Sequence, residues 1–128
     1  MVAYGPYLGG AAADAVGGLG TDQQGNAYVA GFTFSADFRP LAESGLRISG
    51  PSDVFVFQFS PEGRPLFARL LGGSGSELDV IAAADATGAV HVAGTTFSHD
   101  FPSATELARD PAYGIQFFAR IRGGARPE

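Results

Sequence analysis

The chain has no cysteine, no tryptophan and a single methionine in 128 residues. Without cysteine there is no disulfide framework, no thiol nucleophile and no thiolate metal site. Charged residues make up only 16%, well below the roughly 25% of ordinary soluble domains. So little charge leaves little material for a fully hydrated surface, and part of that surface is expected to lie under a neighbour. What charge there is sums to −5, against the Lys/Arg surplus that nucleic-acid binding needs. No apolar run approaches the ~20 residues that span a bilayer. Met1 runs directly into repeat-like sequence, without the basic and apolar segments of a signal peptide. Helix-favouring runs of Glu, Lys and Leu are also missing.

The abundant residues are 19 glycines and 11 phenylalanines, within 45% hydrophobic content. That bias favours strands and tight turns in one domain of ordinary size. The most informative feature is a repeat. Residues 22–38 read DQQGNAYVAGFTFSADF and residues 85–101 read DATGAVHVAGTTFSHDF, with 10 of 17 positions identical at an offset of 63. The match extends upstream, where Leu8-Gly9-Gly10 falls on Leu71-Gly72-Gly73. A fixed period of this size implies stacked, similar units.

Alternation and short apolar runs predict strands at residues 2–8, 15–21, 27–32, 54–59, 65–71, 78–84, 89–95 and 115–121. Asp22 to Asn26 and Ser60-Pro61-Glu62-Gly63 are hairpin turns by composition, with Asp or Ser as the side-chain acceptor and Gly at the special backbone position. VFVFQF at 54–59 is apolar on nearly both faces, as a buried strand is. Three short connections followed by a long one, then the same again, is the rhythm of four-stranded antiparallel meanders, the blades of a β-propeller. We divide the single 1–128 unit into repeat 1 at about 2–53, repeat 2 at about 54–114, and an extra strand at 115–121.

The motifs resemble the SBBP family, the seven-bladed β-propeller repeat of bacterial and mostly extracellular proteins, and more distantly NHL-type blades. The resemblance is carried by Tyr7-Leu8-Gly9-Gly10 and Leu70-Leu71-Gly72-Gly73. It is also carried by the hairpin Asp22, Gly25, Asn26, Tyr28, Val29, Gly31 with its copy Asp85, Gly88, Val92, Gly94. The T-x-S-x-D-F-P segment stands as Thr33, Ser35, Asp37, Phe38 and as Thr96, Ser98, Asp100, Phe101, Pro102. Asp53, Phe55, Val56, Pro61 and Gly63 complete the set. Departures are Arg39-Pro40 where Pro alone is expected, and Ile115 where Asp is expected. The resemblance implies an all-β propeller and an extracellular or cell-envelope setting in a bacterium. The chain holds about two blades in permuted strand order, whereas closed propellers take roughly 4–8. The expectation is therefore a homo-oligomeric ring of three or four chains, with 115–121 of one pairing onto 2–8 of the next. The alternative is a fragment of a longer secreted propeller.

Candidate chemistry is sparse. Asp37 and Asp100 sit in matching loops after Ser35 and Ser98, and read as Asx or Ser turns rather than metal or sugar contacts. Phe38 and Phe101 are expected to fill the space between blades. Asp14, Glu77 and Asp79 read as surface solvation, since nothing in the sequence brings two carboxyls together as a hydrolase needs. His91 replaces Tyr28 and reads as a half-exposed filler. His99 adjoins Asp100, but no G-x-S-x-G nucleophile accompanies the pair. The Gly-Gly pairs at 9–10, 72–73 and 123–124 lack the Lys-Ser/Thr of a phosphate loop. The expected function is a non-enzymatic structural or interaction module that presents loops to protein partners. We assign it no catalytic, cofactor or metal residues and no cofactor, and leave its ligand-binding residues unassigned. A carbohydrate-binding oligomeric propeller is the alternative, weakened by the absence of Trp.

Overall fold

The computed structural model describes residues 7–39, 46–102 and 114–122. Seven strands and no helix occur among them: β1 Asp14–Thr21, β2 Ala27–Thr33, β3 Asp53–Phe59, β4 Pro65–Leu71, β5 Glu77–Ala84, β6 Ala89–Thr96 and β7 Ile115–Arg122. They form two antiparallel sheets, a four-stranded one in the order β1-β2-β3-β4 and a three-stranded one in the order β5-β6-β7. Of the strand expected at 2–8, only Tyr7 and Leu8 fall among the described residues. Neither is in a strand, and next to them Gly9 bridges Arg39.

The sheets cut the repeat at a different phase from the sequence-based division. Residues 53–59 are the third strand of the sheet that starts at Asp14, where the expectation put a repeat boundary before Val54. β7 is hydrogen-bonded to β6 inside the chain's own second sheet, pairing Gly94 with Phe117 and Val92 with Ala119. The physical reason is the connection chemistry. Asp22 to Asn26 closes β1 onto β2, and Ser60 to Gly63 closes β3 onto β4 through a Gly63 N–H to Ser60 carbonyl bond of 2.8 Å. The glycine pair at 72–73 ends a sheet rather than a hairpin. β1-β2-β3 thus corresponds to β5-β6-β7.

β3 is buried at all seven positions, because it is central in its sheet and both faces are covered. Towards the second sheet, Tyr28, Ala30, Val54, Val56 and Leu71 pack with Val80, Val90, Val92, Phe101 and Ile121. On the far face, Phe55, Phe57 and Phe59 pack with Phe38, whose ring stacks on Phe57 at 5.6 Å. Phe101 repeats this device on Phe117 at 4.5 Å. Phe101 therefore fills the space between the two sheets, whereas Phe38 covers the outer face of the first.

The contact between the sheets depends on glycine. A Cβ placed on Gly17, Gly18 or Gly20 would collide with the Val80 carbonyl, the Ala82 carbonyl or Ala84 respectively. β1 therefore lies with its backbone against β5, closer than any side chain allows. At the positions one period later the chain carries Val80, Ile81 and Ala83, and Ile81 is 65% exposed. We expect Gly18→Ala to destabilise the fold by about 1–3 kcal/mol, the usual penalty for overpacking. In urea unfolding, Leu19→Ala, which trims an exposed side chain, should leave the midpoint nearly unchanged.

Candidate functional site

Each sheet opens on a carboxylate. Asp14 is the first residue of β1 and Glu77 the first of β5. Asp14 accepts hydrogen bonds from the hydroxyls of Thr33 and Ser35 and from the Gly10 N–H. Glu77 accepts from the Thr96 hydroxyl at 3.1 Å, the Ser98 hydroxyl at 2.8 Å and the Gly73 N–H at 2.8 Å. The partners match at the 63-residue offset, donor for donor. The serine of each set also accepts a backbone N–H from the loop before the sheet, Ala12 onto Ser35 and Gly75 onto Ser98. Asp37 takes the Ala11 N–H at 2.9 Å, and Asp100 takes the Ser74 N–H at 2.8 Å together with its hydroxyl.

Glu77, Thr33, Thr96, Ser35 and Ser98 are buried, and Glu77 has no exposed surface. Reading Asp14 and Glu77 as surface-solvated carboxylates is therefore corrected: Asp14 is half-buried and Glu77 fully so, because each supplies the acceptors that the adjoining loop cannot find in water. Asp79 is exposed and adopts a positive φ of 56°, next to the register break between Leu78 and Ile81. Asp37 and Asp100 satisfy loop backbone groups, but across the fold rather than in the local Asx or Ser turns expected. The loops they serve are those preceding β1 and β5, about 26 residues away in sequence. Gly10 and Gly73 are needed for this closeness, since a Cβ on either would run into Ser35 or Ser98.

A second repeated device lies in the β1–β2 and β5–β6 turns. Asp22 accepts from the N–H groups of Gln24 and Asn26, the Asn26 amide and the Tyr28 hydroxyl. Gln58 donates to the same hydroxyl at 2.9 Å. Burial and the Asp22 carboxylate push the Tyr28 hydroxyl up to about 12. Burial opposes ionisation of Asp22, yet its donors hold it below the usual carboxylate range. Asp85 repeats the turn with Thr87 and Ala89, and His91 Nε2 lies 3.1 Å from its Oδ2 in the place of the tyrosine hydroxyl. The Thr87 hydroxyl, and after it His91, holds the Asp85 carboxyl well below the ordinary range. His91 is thus a half-exposed side chain with a structural partner. His99 is exposed beside Asp100, whose own carboxyl is lowered chiefly by the Ser74 N–H and hydroxyl.

One pair breaks the repetition. Asp53, at the start of β3, has no exposed surface and its Oδ1 has no hydrogen-bond partner. A Cβ built on Gly72 would collide with both Asp53 Oδ1 and Glu77 Oε1, so the two oxygens crowd one point. Sequence reasoning missed this pair. The signal was the acid kept at position 77 one period after Asp14, with the extra methylene of Glu supplying the reach. The counterpart of Asp53 in the second sheet is Ile115, paired with Thr96 as Asp53 is with Thr33. Among the described residues, no three His, Asp or Glu side chains group as a metal site would require. The Gly-Gly pair at 123–124 lies outside the described residues.

Removing one hydroxyl from a buried network leaves the other groups unsatisfied. We expect Thr96→Val to cost about 1–3 kcal/mol, and Thr33→Val a similar amount, read in urea unfolding. The turn carboxylates give a pH signature. Because the Asp22 and Asp85 carboxyls are lowered in the fold, their stabilisation is present above the unfolded carboxylate range and is lost as pH falls through the folded values. Asp85→Asn should flatten the acid limb of the stability profile, measured by thermal melts across acidic pH. No family model, curated protein or solved structure matches the chain.

Proposed function

We propose that the chain is a non-enzymatic structural or interaction module, two β-propeller-type blades that assemble with further copies into a ring. The observation that carries this reading is where the repeated polar residues are used. Asp14, Glu77, Ser35, Ser98, Asp37 and Asp100 are occupied with their own loops and strands. A polar group already satisfied within the fold is not poised to act on a substrate.

The open surfaces support self-assembly. The outer face of the second sheet carries Ile81, 65% exposed, and Phe118, 71% exposed, beside Ala83, His91 and Ala93 around a shallow recess of about 230 Å³. Ile81, Ala83, His91 and Ala93 match Gly18, Gly20, Tyr28 and Ala30 at the internal offset, and Phe118 matches Val56 by strand pairing; these the second sheet covers within the chain. A second copy continues that stack, seated farther off because Ile81 replaces a glycine. Apolar faces of this kind mark association sites.

Among the described residues no strand pairs with the far edge of β7, which fits the same reading. β4 pairs with β3 through Val54–Leu71 and Phe57–Ala68. Residues 2–8 match β4 at the 63-residue offset, and β7 matches β3 one residue short of it. Copying the register puts Leu8 of a second copy opposite Gln116; residues 2–6 lie outside the described residues. The ring would hold three or four copies. A sugar stacked on Phe118 and His91, whose rings lie 5.9 Å apart, is the alternative occupant of the face.

Light scattering tests this directly. Assembly predicts a mass that is a multiple of 13.1 kDa and that falls to one copy in Phe118→Glu. In the cysteine-free background, Leu8→Cys with Gln116→Cys should form intermolecular disulfides on oxidation, and a pair displaced by one residue should not. A monomer at every concentration overturns the ring, and a glycan-array signal lost in Phe118→Glu overturns it in favour of sugar binding.

A further inference from the structure

Two carboxyl groups face each other where the sheets meet, one from each. Asp53 comes from β3 and Glu77 from β5, and neither has exposed surface. Their oxygens crowd the same point beside Gly72, within the ~4–6 Å over which one carboxylate disfavours ionisation of another. Their surroundings differ. Glu77 collects three donors, from Gly73, Thr96 and Ser98, which is the environment of an ionised acceptor. Asp53 takes the Ser49 N–H on Oδ2 at 2.9 Å, and the Ser49 side chain and Gly50 N–H also favour its ionised form; its Oδ1, beside Glu77, has no donor. A buried bare oxygen against a carboxylate is costly, and a proton removes the cost.

We propose that Asp53 and Glu77 hold one proton between them, carried on Asp53 Oδ1 and donated to Glu77 Oε1, and that this bond fastens the two sheets together. Ser52 strengthens the same junction, its hydroxyl accepting the Glu77 N–H and donating to the Glu77 carbonyl, both at 2.9 Å. Burial pushes both carboxyls up, and the charge of Asp53 adds to the rise at Glu77. Other ionisable groups on the packed elements are Asp100, which is exposed and occupied with Ser74, exposed His99, and exposed Arg47 on the segment before Asp53. The sign follows from linkage. A carboxyl raised in the fold contributes its full stabilisation below the unfolded value, near 4, and loses it as pH rises through the raised folded value. The junction therefore weakens towards alkaline pH, the reverse of the Asp22 and Asp85 turns. The inference does not depend on ring assembly, because both carboxyls belong to one chain.

Asp53→Asn tests it, since the amide donates to Glu77 where the proton did. Between acidic and mildly alkaline pH, the unfolding constant of the wild type should rise relative to Asp53→Asn by about tenfold for each unit that the shared proton is raised. Parallel profiles would overturn the proposal. Independently of any variant, infrared spectra of protein with isotope-labelled Asp should show a protonated carboxyl stretch at neutral pH, and an aspartate population wholly ionised there would overturn it. Calcium that stabilises the wild type but not Asp53→Asn would show that a cation, not a proton, sits between the two groups.

Discussion

A carboxylate at the first residue of each sheet, half-buried in the first and fully buried in the second, holds the rest in place. Asp14 and Glu77 stand where a chain leaving a Gly-Gly loop enters its first strand, and hydroxyls at the end of the second strand reach back to them. That single acceptor adds side-chain bonds to the few backbone ones, Phe34 N–H to the Ala13 carbonyl and Phe97 N–H to the Ser76 carbonyl, that join the incoming loop to the departing one. Asp37 and Asp100 then secure the loop from outside, and Phe38 and Phe101 turn in over the third strand. Polar satisfaction and aromatic packing thus come from one short segment, which explains why that segment is the best-preserved part of the internal repeat.

The two copies diverge where their surroundings diverge. The first sheet is sealed by the second, so Gly17, Gly18 and Gly20 permit a backbone-to-backbone approach and Tyr28 is buried under Gln58 and Asp22. The second sheet has no such cover among the described residues. It carries Ile81 for Gly18, His91 for Tyr28 and Phe118 for Val56. Asp53 meets Glu77 across the junction, and the matching position on β7 is Ile115. Two units with one plan have become an inner and an outer member through a handful of substitutions.

Much of this was legible in the sequence. Seven strands lie within one residue of their expected bounds at either end, because β3 is a plain apolar run and the turns carry Asp, Pro and Gly at positions that only turns need. That Asp37 and Asp100 satisfy loop backbone groups followed from their repetition, but not which loops they serve. Sheet membership did not follow, since a period can be cut at any phase and only the hydrogen-bond ladder shows that Val54 continues the sheet begun at Asp14. Nor did the burial of Glu77. A carboxylate next to Ser, Gly and Asp looks hydrated until its donors, 19 and 21 residues downstream, are folded against it. The Asp53–Glu77 pair was out of reach for the same reason: it depends on two sheets meeting, and a local pattern holds no record of that meeting.

The central claim is that the repeated acidic and hydroxyl residues are one fastening used twice. A pair of double-mutant cycles measures it most directly, Asp14→Asn with Thr33→Val in the first sheet and Glu77→Gln with Thr96→Val in the second. The account predicts a favourable coupling in both cycles, of about 0.5–3 kcal/mol as contacting residues in a shared network show. Additive effects within each cycle, with stability unchanged by removing the hydroxyls, would contradict it.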